Sequence, residues 1–276
     1  MSSLKPNFCP ITGDMDSRLV FSYSNPPSVE IQYIRSQDEP YYREVWQFLP
    51  SGHFISTHEM KVLTSYDGHY LEATYGNNAS MTATFERIIN LPPERSDNTG
   101  RFLAVERFAS RWLDMGIIPS VLDIGSGLGV FPHAVHRAGW SCTAIDPDWR
   151  CVAHYNDTIG VTGICGDFMS IEATSQFDIV TLNKVLEHVI DPIAMLQRVH
   201  HWLKPSGFVY LEVPDGEVAS KYGCDREEFT IEHLHIFSVA STAILASKAG
   251  FEIQTLTRLQ EPSTKYTIRA FLSQTI

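Results

Sequence analysis

The segment Val121-Leu122-Asp123-Ile124, running straight into Gly125-Ser126-Gly127-Leu128-Gly129, limits what this chain can fold into more than any other feature. A short apolar run ending in alternate glycines reads as a buried strand that turns sharply into a helix. Downstream the same alternation continues. Val130 to Ala138 predicts a helix stopped by Gly139, and Ser141 to Ile145 a strand ending at Asp146-Pro147. A helix over Trp149 to Asp157 precedes strands at Thr162 to Cys165 and Phe177 to Leu182. Asp191-Pro192 supplies a capping carboxylate and a proline at the first helical position, and Ile193, Leu196, Val199 and Leu203 mark the face that follows. Pro205-Ser206-Gly207 breaks that helix before a strand at Phe208 to Val213. Ser238 caps a last helix closed by Gly250, and Phe251 to Leu256 and Tyr266 to Leu272 read as strands. Ahead of the glycines, Phe102, Val105, Phe108 and Trp112 recur at helical spacing. The expected fold is α/β, a doubly wound, mostly parallel seven-stranded sheet with helices on both faces.

In such a sheet a ligand lies at the carboxyl ends of the strands. A dinucleotide fingerprint, G-x-G-x-x-G, would need glycine at position 130, which is Val130. The pattern present is G-x-G-x-G, with Asp123 two residues before it. A carboxylate there suits a cationic ligand end, such as the amino group of a methionine moiety, better than a pyrophosphate. Asp146 ends the second strand, where an acidic residue can accept hydrogen bonds from ribose hydroxyls. Asp167, in Gly166-Asp167-Phe168, ends the third and could take an adenine amino group, with Phe168 or Met169 against the ring. Asn183-Lys184 ends the fourth. Each polar group alone is ordinary turn chemistry; four in order at one edge point to a ligand.

Val121 to Gly129, Ile145-Asp146-Pro147, Gly166-Asp167-Phe168 and Leu186-Glu187-His188-Val189 resemble class I S-adenosylmethionine-dependent methyltransferases. The resemblance spans roughly residues 100–276 and is specific for the cofactor. It implies that Asp123, Gly125, Ser126, Gly127 and Gly129 face the methionine part of S-adenosyl-L-methionine. Asp146 with Pro147 would take the ribose, Asp167 with Phe168 the adenine, and Asn183 and Lys184 would line the donor pocket. It also implies that Tyr266 to Leu272 is the antiparallel strand completing a Rossmann-like sheet.

For the acceptor, candidate bases belong after the fourth and fifth strands. His233 and His235 lie i, i+2 in Glu232-His233-Leu234-His235-Ile236-Phe237-Ser238, on one face if the segment is extended. Histidine titrates near neutrality and suits that role. The same segment is similar to one in sugar methyltransferases, where a histidine near the acceptor is the base. A metal is not expected, because His-x-His lacks a third ligand. Some relatives of that kind carry an N-terminal zinc ribbon, and Phe8-Cys9-Pro10-Ile11-Thr12-Gly13 resembles its first knuckle. Thr12, Phe48 and Ser51 stand where further cysteines would be, and one thiolate cannot hold a structural zinc.

Leu91-Pro92-Pro93-Glu94-Arg95-Ser96-Asp97 reads as a linker. It divides an irregular, aromatic-rich accessory region, residues 1–98, from a cofactor-binding domain, residues 99–276. Tyr70 and Tyr75 offer faces for stacking a sugar or ring. The formal net charge of −11 argues against a nucleic-acid partner. No apolar run reaches the ~20 residues of a membrane span, and the first residues lack a secretory signal. The five cysteines form no CxxC pair. A cytoplasmic enzyme with a small or carrier-linked acceptor is the expectation. A nicotinamide-dependent sugar-modifying enzyme and a non-catalytic partner of the same fold are the alternatives.

Overall fold

The computed structural model describes residues 4–27, 30, 40–60, 78–114 and 116–275. Its strands, in chain order, begin with β1 (Ser17–Tyr23), β2 (Arg43–Phe48) and β3 (Phe54–His58). Then come β4 (Ser120–Ile124), β5 (Ser141–Asp146), β6 (Thr162–Cys165), β7 (Phe177–Asn183) and β8 (Leu203–Pro214). β9 (His235–Ile236), β10 (Phe251–Gln260) and β11 (Tyr266–Gln274) complete the series. The helices are α1 (Asn78–Ile89), α2 (Asp97–Trp112), α3 (Val130–Arg137), α4 (Trp149–His154), α5 (Pro192–Arg198), α6 (Gly216–Ala219) and α7 (Val239–Lys248).

One sheet has the order β10-β11-β8-β7-β4-β5-β6. From β8 to β6 every pairing is parallel, while β11 runs antiparallel to both of its neighbours. The expected seven-stranded, doubly wound sheet is therefore present, with the last strand reversed. The chain leaves β4 toward β5 and β6, then returns to β7 on the other side of β4. That reversal opens a crevice at the strand tips between β4 and β7.

Alternation along the strands divides the apolar residues between the two faces. Val121, Ala144, Ile179, Phe208 and Tyr210 pack with residues of α2, α3 and α4, and with Phe85 of α1. Leu122, Ile124, Val180, Leu182 and Leu211 pack on the other face with α5 and α7. Among the described residues, no helix is long and apolar enough to cross a membrane.

Two local expectations need correction. The helix from Asp191 ends at Arg198, followed by a single 3-10 turn, and β8 already begins at Leu203. Phe177 pairs with Leu203, and Ile179 with Phe208, so Lys204 to Gly207 bulge out of a continuous strand. Pro205 has no N–H for the ladder, and here that produces a bulge instead of a strand start. The N-terminal region is also more regular than expected. β1, β2 and β3 form an antiparallel sheet, and β9, from far along the chain, is its fourth strand.

A buried ion cluster ties α2, β8 and β11 together. Glu212, fully buried, accepts from Arg101 at 2.5 and 3.0 Å, from Arg269 at 3.2 Å and from the Tyr210 hydroxyl at 2.8 Å. Burial pushes its carboxyl up, but the Arg101 guanidinium outweighs that and holds it well below the usual carboxylate range. Removing one partner of such a cluster strands the rest. Glu212→Gln should lower the unfolding free energy at pH 7 by ~3–5 kcal/mol, read by urea denaturation. Because the folded-state value is depressed, the Glu212 contribution fades as pH falls below the ordinary 4.5, and the gap between the two proteins should narrow there.

Candidate active site

The glycine turn is pinned from several sides. The Ile145 carbonyl accepts from Gly125 N–H at 2.9 Å and Ser126 N–H at 3.2 Å. The Asp146 carboxylate accepts from Gly127 N–H at 2.9 Å, and the Tyr155 hydroxyl donates to the Gly127 carbonyl at 2.6 Å. Gly125 has φ +66°, and a Cβ there would meet Val185 Cγ2 at 2.8 Å. Gly129, at φ +71°, begins α3, and a Cβ on it would meet Ile159 Cδ1 at 2.5 Å. Both positions need glycine for conformation and for space.

A cleft of about 1200 Å³ lies over this turn. That exceeds the roughly 300–1,000 Å³ of most small-molecule sites, so it can hold two ligands side by side. Asp123, Gly125, Ser126, Gly127, Asp146, Pro147, Asp167, Phe168, Asn183 and Lys184 all line it. Gly129 does not, and instead lets Tyr155 and Ile159 pack closely on the start of α3. The far wall comes from α1, the segment Arg95 to Asn98, and the stretch from Glu227 to His233.

Asp123 is 2% exposed. Its Oδ1 accepts from Thr181 Oγ1 at 2.5 Å and from Asn183 Nδ2 at 2.7 Å, which joins the β4 tip to the β7 tip. Burial raises its carboxyl to about 6 against the pull of those bonds. Asp146 is also raised to about 6 by burial, although the Asp148 and Gly127 N–H groups stabilise its charge. Among the described residues, the buried Asn183 Oδ1 atom has no hydrogen-bond partner. A carboxylate beside an unpartnered amide oxygen makes a receptor for a cationic N–H donor.

The third strand tip is looser. Asp167 is exposed and accepts from Met169 N–H at 2.9 Å and Ser170 Oγ at 3.2 Å, closing its own turn. The Phe168 ring is buried against Trp202 at 5.8 Å, whereas Met169 stays exposed on the cleft. Lys184 adopts φ +60°, unusual for a residue with a side chain. Its ammonium donates to Thr267 Oγ1 at 2.9 Å, toward β11.

The two candidate bases part company. His233 lines the cleft, with its ring 4.9 Å from that of His188. His235 does not line it. A turn, closed by His233 N–H donating to the Thr230 carbonyl, precedes the extended residues and removes the expected shared face. His235 is buried in β9, with Nδ1 3.1 Å from Nε2 of His53, whose Nδ1 meets Ser241 Oγ at 3.1 Å. Burial drives both of these imidazoles toward neutrality. Glu187 and His188, which carry part of the resemblance, also reach the cleft. Tyr70 and Tyr75 lie outside the described residues.

Comparison with known proteins agrees with this architecture. A family model described as "Methyltransferase domain" matches residues 79–256. The ubiquinone biosynthesis O-methyltransferase of Pseudomonas paraeruginosa is 34% identical over 99 residues, 33% of this chain and 43% of that protein. The cypemycin N-terminal methyltransferase of a Streptomyces species is 27% identical over 154 residues, 52% of this chain and 62% of that protein. The alignments thus span less than two thirds of either relative. Among solved structures, the fold is like that of the Burkholderia thailandensis 1,6-didemethyltoxoflavin-N1-methyltransferase, at TM-score 0.54 and 15% identity, over 83% of this chain and 99% of that one.

The raised Asp123 value carries a sign. A carboxylate that holds its proton longer folded than unfolded costs stability as pH rises from its ordinary 3.8 to about 6. Asp123→Asn keeps an oxygen for Thr181 and Asn183 while removing the buried charge. In differential scanning calorimetry without ligand, this variant should be more stable than the parent at pH 7.5, by ~1–3 kcal/mol. The advantage should vanish near pH 4.

Proposed function

Because the chain belongs to the methyltransferase-domain family, we propose that it binds S-adenosyl-L-methionine over the glycine turn and transfers the methyl group to a small or carrier-linked acceptor. The observation that carries this is the pairing of buried Asp123 with the unpartnered Asn183 Oδ1 at the tips of β4 and β7. Two acceptors of hydrogen bonds, one anionic, fit an α-ammonium group. Asp146 and Pro147 stand one strand over, where ribose hydroxyls would lie, and Asp167, Phe168 and Met169 one further, for the adenine. The bound cofactor supplies an electrophilic methyl carbon on a sulfonium.

An acceptor aligned beside that carbon would take the methyl group, with the sulfonium leaving as a neutral thioether and the acceptor's proton passing to a base of this chain. The donor is already activated, so the protein's contribution is alignment and removal of the proton. His233 is the group we assign to the acceptor; its position in the cleft wall supports this, and His235 is left out of the assignment.

We retain residues 1–98 as a cover and residues 99–276 as the transferase domain. The contact of Thr12 Oγ1 with Ser51 Oγ at 3.4 Å, beside fully buried Cys9 and Phe48, supports reading the first as a metal-free remnant of a zinc ribbon. Hydroxyls and a ring then occupy positions where thiolates would converge. The likeness of Glu232 to Ser238 to sugar methyltransferases makes a sugar our preferred acceptor.

Isothermal titration with S-adenosylhomocysteine tests the reading. One equivalent should bind, and Asp146→Ala should weaken binding at least about tenfold, a loss of ~1.4 kcal/mol. Affinity should also fall as pH drops below about 6, where Asp123 and Asp146 take up protons. Folded protein that binds no S-adenosylhomocysteine would defeat the proposal.

A further inference from the structure

On the acceptor side of the cleft, Glu187, His188 and His233 each bring a donor atom within 4.8 Å of the other two. The tips of two separate segments make this meeting. The Glu187 carbonyl accepts from Leu234 N–H at 2.8 Å and His235 N–H at 3.1 Å, which brings His233 over β7's end. Glu187 is fully buried, and among the described residues no hydrogen bond from another residue reaches either carboxylate oxygen. Burial raises its carboxyl to about 7 against the pull of the Lys184 ammonium, and a buried carboxyl left without hydrogen bonds is costly.

The imidazoles are prepared in a matching way. His188 Nδ1 lies 3.1 Å from the Glu232 carbonyl, and His233 Nδ1 lies 2.9 Å from the Glu228 carbonyl. A carbonyl only accepts, so each Nδ1 carries the proton and each Nε2 the lone pair. Burial favours the neutral ring in both. No hydrogen bond links the three side chains to one another. Imidazoles anchored through one nitrogen on backbone carbonyls, with the other nitrogen turned to a shared space, are the usual support for metal ligation.

We propose that Glu187, His188 and His233 bind one divalent cation of the zinc class, with its remaining positions open to the cleft. Two nitrogen donors and one carboxylate suit zinc or cobalt; magnesium and calcium prefer oxygen alone. Ligands at 2.0–2.2 Å from zinc stand about 3.4 Å apart, so small side-chain rotations close the group. The open positions would take the acceptor's nucleophilic oxygen or nitrogen and ease its deprotonation, with His233 acting through the cation. The other two ligands come from Leu186-Glu187-His188, about 45 residues before His233, so the His-x-His segment alone does not contain the set. The acceptor role rests on the methyl-transfer reading; the cation site does not.

The test is titration of chelator-stripped, full-length protein with Co²⁺, followed by visible absorption, and with Zn²⁺ by calorimetry. One equivalent should bind, and His188→Gln, His233→Gln and Glu187→Gln should each weaken binding at least about tenfold. Glu187→Gln replaces a buried carboxyl that no hydrogen bond satisfies, so its metal-free melting temperature should hold or rise while the increase on adding Zn²⁺ disappears. Absence of saturable one-equivalent binding, or equal binding by all three variants, overturns the site. S-adenosylhomocysteine is titrated into the same stripped protein. Its failure to bind strikes the methyl-transfer reading alone, and failure of cobalt strikes the cation site alone.

Discussion

The hold on one turn decides the geometry of the cleft. Leaving β4, the chain reverses within a few residues, and its N–H groups are taken by the Ile145 carbonyl and the Asp146 carboxylate, both at the end of β5. Val185 closes against Gly125 and Ile159 against Gly129, leaving no room for side chains. The turn is thus gripped between three strand tips and the residues Tyr155 and Ile159 that follow α4. Because β4 is the middle strand of the parallel part of the sheet, where strand order reverses, anything bound over the turn is reached by β5, β6 and β7 together.

That arrangement places two carboxylates where water cannot solvate them well. Asp123 bonds across to Thr181 and Asn183, and Asp146 bonds to backbone N–H groups, yet burial still dominates and raises both. Ordinary structural aspartates behave otherwise. Asp178, bonded to Ser120 and Lys204 at the opposite end of the strands, has its carboxyl lowered by those partners. The contrast separates a carboxylate satisfied by the fold from two whose burial outweighs the bonds they accept. Stability given up at Asp123 and Asp146 is what a bound ligand would restore.

The parallel core was legible in the sequence because its central strands are buried on both faces and most of its strands run into glycine, aspartate, asparagine or proline. Such runs carry their boundaries with them. Pro205 misled because proline is compatible with a bulge as well as with a break, and only pairing with Phe177 and Ile179 distinguishes the two. The small N-terminal sheet was not legible. Its fourth strand is two residues long and comes from 180 or so positions later, too short to show periodicity and too distant to pair by eye. The same β9 explains His235. An i, i+2 pair shares a face only in an uninterrupted extended segment, and the turn that ends at His233 is fixed by contacts elsewhere.

Those contacts give the accessory sheet a part in the site. Arg43, buried in β2, pairs with Glu30 at 2.7 Å, stacks over Tyr23 at 4.0 Å and donates to the Phe229 carbonyl at 2.8 Å. Glu30 in turn accepts from Ile231 N–H at 3.0 Å. Phe229 packs edge-on against Phe21 and Phe54 of the same sheet. From below, the Glu187 carbonyl fixes Leu234 and His235. Residues 229 to 235 are therefore clamped between the N-terminal sheet and the tip of β7, and His233 projects from the clamped stretch into the cleft. The ion pair makes the position of His233 depend on both halves of the chain, so this wall of the cleft is complete only when the N-terminal sheet is docked.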